Sequence, residues 1–235
     1  MDQFGKLYLI PSLIAPDTAS IIPEHTKLVI SDISYFLVEN IRSARRYISS
    51  LKLGIEIERL QFEVYDKNTS FEEILELLNP VLNGRSAGII SEAGCPGVAD
   101  PGSIAVSAAH QLDIDVVPLT GPSSILLALM ASGLNGQSFA FHGYLPIDKQ
   151  ERKKKLRFLE SLALRDGQSQ IFMETPYRNE QLFKATIDTC HPNTRLCIAT
   201  NLTYPDEFIK TLSIQSWKKK KTNLHKKPTI FIIGN

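Results

Sequence analysis

"SAGIISEAGCPGVADPGS", Ser86 to Ser103, is the stretch on which the fold turns. AGII, Ala87 to Ile90, reads as a short, wholly apolar strand of the kind buried on both faces of a parallel sheet. Ser91 to Ser103 then holds three glycines, two prolines and two carboxylates, where a strand-to-helix turn ordinarily needs about four residues. Glycines let backbone approach a ligand and prolines stiffen the loop without offering a donor. So much irregular backbone at a strand end points to a ligand-binding loop.

Outward from this loop the chain alternates strand and helix patterns. Before it come KLYLIP and KLVISDI, both read as strands, then a helix from about Tyr35 to Leu51. A strand LQFEVYD follows, and then a helix SFEEILELLNPVL opened by a capping box, Ser70 with Glu73. After it come a helix SIAVSAAHQL, a strand VVPL, a turn TGPSS and a helix ILLALMASG ended by Gly133. Such alternation predicts a parallel sheet covered by helices on both faces. From Phe139 the pattern changes: FAFHGYL and QIFMET as strands, a basic amphipathic helix KQERKKKLRFLESL, a helix RNEQLFKATIDTC, and three closing β-runs, RLCIATNL, EFIKTLSI and TIFIIG. This predicts a mixed sheet in a second domain. The expected architecture is two α/β domains, 1–133 and 139–235, joined at GLNGQS.

The chain's 235 residues are enough for one large domain or two small ones. With 43% hydrophobic and 22% charged residues it reads as a soluble globular enzyme, with no apolar run long enough to span a bilayer. MDQFGKLYLIP has neither a basic nor an apolar leader segment, which predicts a cytoplasmic protein. Cys95, Cys190 and Cys197 are odd in number and widely spaced, as reduced thiols rather than a disulfide framework or zinc site. No metal site is expected. The net charge of +1 conceals basic runs at Glu151–Arg157, Lys218–Lys221 and His225–Lys227, which either meet phosphates or form solvated faces.

There is no P-loop lysine signature, no GxGxxG after the first strand, no HExxH and no GxSxG, which argues against the common nucleotide hydrolases, dehydrogenases, zinc proteases and serine hydrolases. Four strand ends are instead followed by loops of small or conformationally special residues, at Pro11, Ser91–Gly102, Thr120–Ser124 and Met173–Arg178. Ligands of open α/β sheets sit at such ends.

Five ordered motifs, VENIRSARR (Val38–Arg46), IISEAGCPGVADPGS, VVPLTGPSSILLALMASGL, FAFHGYLP and METPYR, resemble the tetrapyrrole methylase superfamily over nearly the whole chain. The likeness is greatest to the branch that methylates a cytidine ribose 2′-oxygen in small-subunit ribosomal RNA, with its patterns EDTRxTRR, SDAGTPxISDPG, PGPSA, FxGFLP and E(S/T)PHR. The chain departs from that branch in its first loop, PSLIA where the family has TPIGN, and in IATNLTY where the family has VARELTK. It also stops at IFIIGN, short of the branch's small C-terminal extension.

The resemblance implies S-adenosylmethionine folded between two α/β domains, touched by Ile10, Pro11, Gly94, Cys95, Val98, Ser123, Ser124, Glu174, Thr175, Ala199 and Thr200. It also implies a homodimer. In-line methyl transfer to a ribose hydroxyl calls for a nearby proton acceptor. Glu92, Asp100 and Glu39 are candidates by position. Each has a structural alternative: Asp100 as a helix cap, Glu92 bonded to amides, Glu39 paired with Arg42 or Arg46. Arg178 begins a helix, where a cation needs an anionic partner, and is placed in the catalytic site. Arg42, Arg45 and Arg46 form a stripe that meets RNA phosphates or surface carboxylates. Tyr177 and Tyr204 could stack a base or simply pack, while His142 and Trp217 read as core. Two other functions stay open: methylation of a corrin or porphyrin precursor, and cofactor binding without turnover.

Overall fold

The computed structural model describes residues 4–235; Met1 to Gln3, where the reading of the N-terminus starts, lie outside the described residues. The chain divides into two compact units, up to Ser123 and from Ser124 onward. In the first, β1 (Leu7–Ile10), β2 (Tyr35–Val38), β3 (Gln61–Val64), β4 (Ala87–Ile90) and β5 (Val116–Pro118) form a parallel sheet in the order β3-β2-β4-β1-β5. Helices α1 (Glu24–Asp32), α2 (Ile41–Ser50), α3 (Phe71–Leu82) and α4 (Ser103–Gln111) join the strands.

Alternate strand residues enter two cores. Tyr35, Leu37 and Ile89 pack with Ile74 and Leu78 of α3 and Ala105 and Ala108 of α4. Phe36, Val38 and Ile90 pack with Ile30 of α1 and Ala44 and Ile48 of α2. Covering on both faces is why every residue of β2 and β4 is buried and why these strands are apolar without alternation. β2 leads to β3 at one edge and β4 to β5 at the other. The two connections diverge, and that is where a doubly wound sheet opens a crevice at its carboxyl edge.

Two expectations are corrected here. KLVISDI falls mainly in helix α1, because Thr26 and Ile30, one turn apart, are buried and that packing overrides the β-branched composition. The helix expected from Tyr35 is strand β2 followed by α2, which starts after Asn40, whose side chain accepts the Ser43 amide at 3.0 Å. A short buried run has no period by which to tell the two apart. The capping box of α3 forms as read, with Ser70 and Glu73 bonded reciprocally.

The second unit comprises α5 (Ser124–Ser132), β6 (Phe139–Tyr144), α6 (Lys149–Asp166), β7 (Ser169–Met173), α7 (Asn179–Thr189), β8 (Arg195–Thr200), β9 (Phe208–Ser213), α8 (Ile214–Trp217) and β10 (Thr229–Gly234). Its sheet runs β6-β7-β10-β8-β9, parallel between β6 and β7 and antiparallel elsewhere, the mixed sheet expected. Leu156, Leu159 and Ala163 of α6 and Leu182 of α7 build its core with Phe172, Leu196, Ile198, Trp217 and Phe231. Arg152, within the basic run, is buried on the same face of α6, so that run is not wholly a solvated surface.

Helix α5, expected in the first domain, packs on β8, β9 and β10. Thr211 Oγ1 donates to Ser132 O at 2.6 Å, and Gly234 leaves room for Leu134, which a Cβ would meet at 2.9 Å. The division at Ser123/Ser124 therefore precedes the expected joint at GLNGQS. That segment is tied within the second unit, Asn135 donating to Gly167 O and accepting at its carbonyl from Ser169 Oγ. Among the described residues, no helix is long and apolar enough to cross a membrane.

Candidate active site

Three loops of the first unit converge at the carboxyl edge of its sheet. Ser12 N–H donates to Gly94 O at 2.8 Å, bridging the loops after β1 and β4. Gly121, after β5, lies so close to Pro11 that a Cβ there would stand 2.3 Å from the proline Cβ. Buried hydroxyls hold these loops: Tyr47 to Pro11 O at 2.7 Å, Thr26 to Thr120 O at 2.9 Å and Ser91 to Gly94 O at 2.9 Å. Within the long loop Gly102 has φ 147°, and a Cβ there would meet Gly97 N at 2.7 Å. The DPG segment folds back on GCPG, which no other residue at that position would allow.

Beside these loops a cavity of about 680 Å³ is lined by Glu39, Tyr65, Asp66, Lys67 and residues 99–104. It opens at the diverging connections of β2 and β4. Burial, together with Glu39 and Glu92, pushes the Asp100 carboxyl up to about 6. Burial likewise raises Glu39, opposed by a hydrogen bond from the Glu92 main chain and aided by the charges of Glu92 and Asp66; Glu39 Oε1 is buried without a partner. Glu92 is exposed, and Ser43 Oγ donates to it at 3.4 Å. Asp100 does not cap α4: Gly102 holds that position, with no side-chain bond. Nor does Glu39 form an ion pair with Arg42 or Arg46. Instead Glu39 and Asp100 line one cavity, and the charges of Glu39 and Glu92 both act on Asp100, although among the described residues no group of three or more His, Cys, Asp or Glu could hold a metal ion.

Arg42, Arg45 and Arg46 are exposed on α2; Arg45 lies over the Phe62 ring, and among the described residues none of the three is in an ion pair. Ile10 is buried in the core, leaving its main chain as the part a ligand could meet. Cys95 Sγ lies 3.5 Å from Pro122 O, and burial raises its pKa, which keeps it a neutral thiol. Val98 is exposed and Ser123 half-buried.

In the second unit Ser124 is the first residue of α5. Glu174 is buried, and its Oε2 accepts from Thr175 N at 2.5 Å and Arg178 Nη2 at 2.8 Å. Glu174 is thus the anionic partner that a cation at the start of α7 requires. Thr200 Oγ1 is bonded to Thr229 Oγ1 inside the sheet, and Ala199 is buried. His142 shares a hydrogen bond with Gln170, and burial lowers its pKa. Trp217 Nε1 donates to Leu196 O within the core. Tyr177 is exposed and Tyr204 half-buried.

Sequence reasoning missed Tyr47, Thr26, Tyr65 and Asp66. Each lies outside the glycine-bearing loops, and only the sheet order brings it to them.

The model of the family described as Tetrapyrrole (Corrin/Porphyrin) Methylases matches residues 41–217. A "Ribosomal RNA small subunit methyltransferase I" of Buchnera aphidicola subsp. Schizaphis graminum is 28% identical over 243 aligned residues, 99% of this chain and 79% of that protein. Among solved structures, the methyltransferase CobJ superposes with a TM-score of 0.65 at 16% identity, covering 98% of this chain and 94% of that one. Uroporphyrin-III C-methyl transferase from Thermus thermophilus, complexed with S-adenyl homocysteine, has a TM-score of 0.58 at 14% identity, covering 98% of each chain. With a parallel sheet ending in glycine-held loops, a mixed second sheet, and the family model matched from Ile41 to Trp217, this chain belongs to the tetrapyrrole methylases, a family of S-adenosylmethionine-dependent methyltransferases.

Proposed function

We propose that this protein transfers a methyl group from S-adenosylmethionine to a ribose 2′-hydroxyl of small-subunit ribosomal RNA. The observation that carries the reading is the carboxyl edge of the first sheet, where a backbone cradle, a carboxylate of raised pKa and an unpaired arginine stripe share one unit. The name borne by the Buchnera relative supports the RNA class. The cradle fits the cofactor: Ser12 Oγ is buried without a partner on the loop after β1, and the adjoining amides and carbonyls offer the mixed donors and acceptors that a nucleoside and an amino acid require.

In the first unit the main chains of Ile10, Pro11, Gly94 and Cys95, with Val98 and Ser123, are assigned to the cofactor. In the second, Ser124, Glu174, Thr175 and the main chains of Ala199 and Thr200 are so assigned. When bound, S-adenosylmethionine supplies an electrophilic methyl group on a positively charged sulfur. Asp100 takes the proton that the 2′-hydroxyl releases, late in the transfer; a pKa near 6 suits a base working close to neutral pH. Glu39 and Glu92 raise that basicity by their charge. Arg178, held by Glu174, keeps about a third of its side chain exposed for an anionic group. Arg42, Arg45 and Arg46 meet phosphates. The resemblance further supports a homodimer, and a ribosomal substrate places the enzyme in the cytoplasm.

Calorimetric titration with S-adenosylmethionine, followed by tritium-methyl transfer to small ribosomal subunits from a strain lacking this enzyme, tests the reading. Binding and stoichiometric transfer are expected. Binding with no transfer to subunits, but transfer to a corrin or porphyrin precursor, would overturn the RNA assignment.

A further inference from the structure

Helix α2 does more than carry the arginine stripe. On its buried side Tyr47 is inserted into the core, and its hydroxyl donates to Pro11 O at 2.7 Å. Burial pushes the pKa of this phenol up, so it stays a proton donor throughout the neutral range. Pro11 is otherwise clamped by its ring against Gly121, and the next residue makes the Ser12–Gly94 bridge. One hydroxyl therefore holds the residue on which the loops after β1, β4 and β5 meet.

We propose that Tyr47 is a positioning residue of the cofactor site, its hydroxyl holding the Pro11 carbonyl, and through it the Ser12–Gly94 bridge, in the arrangement that receives S-adenosylmethionine. The inference rests on the methyltransferase reading. It accounts for a first loop, PSLIA, that lacks the glycine and asparagine of the family pattern: the shape those residues would supply locally is imposed from the helix beneath.

Removing the hydroxyl leaves a buried carbonyl without this donor, and the loop gains access to other arrangements. Apparent affinity falls by the fraction of molecules still in the competent one. Because the ring stays in place, Tyr47→Phe leaves the core filled.

The test measures S-adenosylhomocysteine affinity, apo thermal unfolding and amide exchange at Ser12 in wild type and Tyr47→Phe. The variant should bind about fivefold to tenfold more weakly, as expected for one buried hydrogen bond. Its Ser12 amide should exchange faster, and apo unfolding should stay cooperative with a midpoint within a few degrees. In turnover, KM for S-adenosylmethionine should rise by the same factor with kcat kept. Equal affinity in the two proteins overturns the inference and leaves the methyltransferase reading intact. Loss of cooperative unfolding assigns Tyr47 to the core and overturns it too. A wild type that binds no S-adenosylhomocysteine overturns the methyltransferase reading, and the inference with it.

Discussion

Asp100 follows Ala99, whose φ of 64° is uncommon for a residue with a side chain, and precedes the Pro101–Gly102 reversal. This backbone holds a half-buried carboxyl against Glu39 and Glu92 and raises it from 3.8 to about 6. A carboxyl with a folded pKa above its unfolded value binds its proton more tightly in the native state. Its contribution to stability is therefore present below pH 4 and is lost as pH rises through 6. Asp100→Asn should leave apo stability unchanged at pH 4 and raise it at pH 8 by about 1 kcal/mol, a value discounted for partial exposure. Urea unfolding at the two pH values measures this. The same variant should lower methyl transfer about 10²-fold or more and abolish the fall of kcat/KM below pH 6. The sequence placed Asp100 among the candidates but left open whether it caps α4. Only the fold decided, by putting Gly102 at the cap and Glu39 opposite.

At the scale of the element, α2 is two-sided. Ala44, Tyr47 and Ile48 face the core, while Arg42, Arg45 and Arg46 face solvent. An unpaired arginine in the first turn is unfavourable to the helix dipole, and an RNA phosphate would relieve it. Replacing all three arginines by glutamine should weaken RNA binding and reduce the slope of log K against log salt by about 2 to 3, with S-adenosylhomocysteine affinity unchanged. Filter binding across a salt series reads both the affinity and the slope; an unchanged slope would exclude the stripe from the RNA contact. The arginines were legible because a polar face needs only helical spacing to be seen. The start of α2 was not read correctly: the Asn40 cap was in the sequence, but the four apolar residues before it match a helix as well as a strand.

At the scale of the whole molecule, each unit has its own core, and α5 covers β8, β9 and β10 in the second. A fragment starting at Ser124 should show cooperative unfolding and near-native circular dichroism. One starting at Phe139 should bind a hydrophobic dye and aggregate, since the sheet face under α5 would be open to water. Equal behaviour of the two fragments would restore the joint at GLNGQS. By itself the sequence determined the alternation of strand and helix, the capping box of α3, the glycine-bearing loops and the likeness to the family. Each of these is written in a window of a few residues, where spacing and backbone freedom suffice. The tertiary structure decided which sheet α5 covers, that YFLV is a strand, that Glu39 and Asp100 share a cavity, and that Tyr47 reaches Pro11. Those outcomes depend on contacts between residues far apart in the chain, whose free energy no local stretch contains.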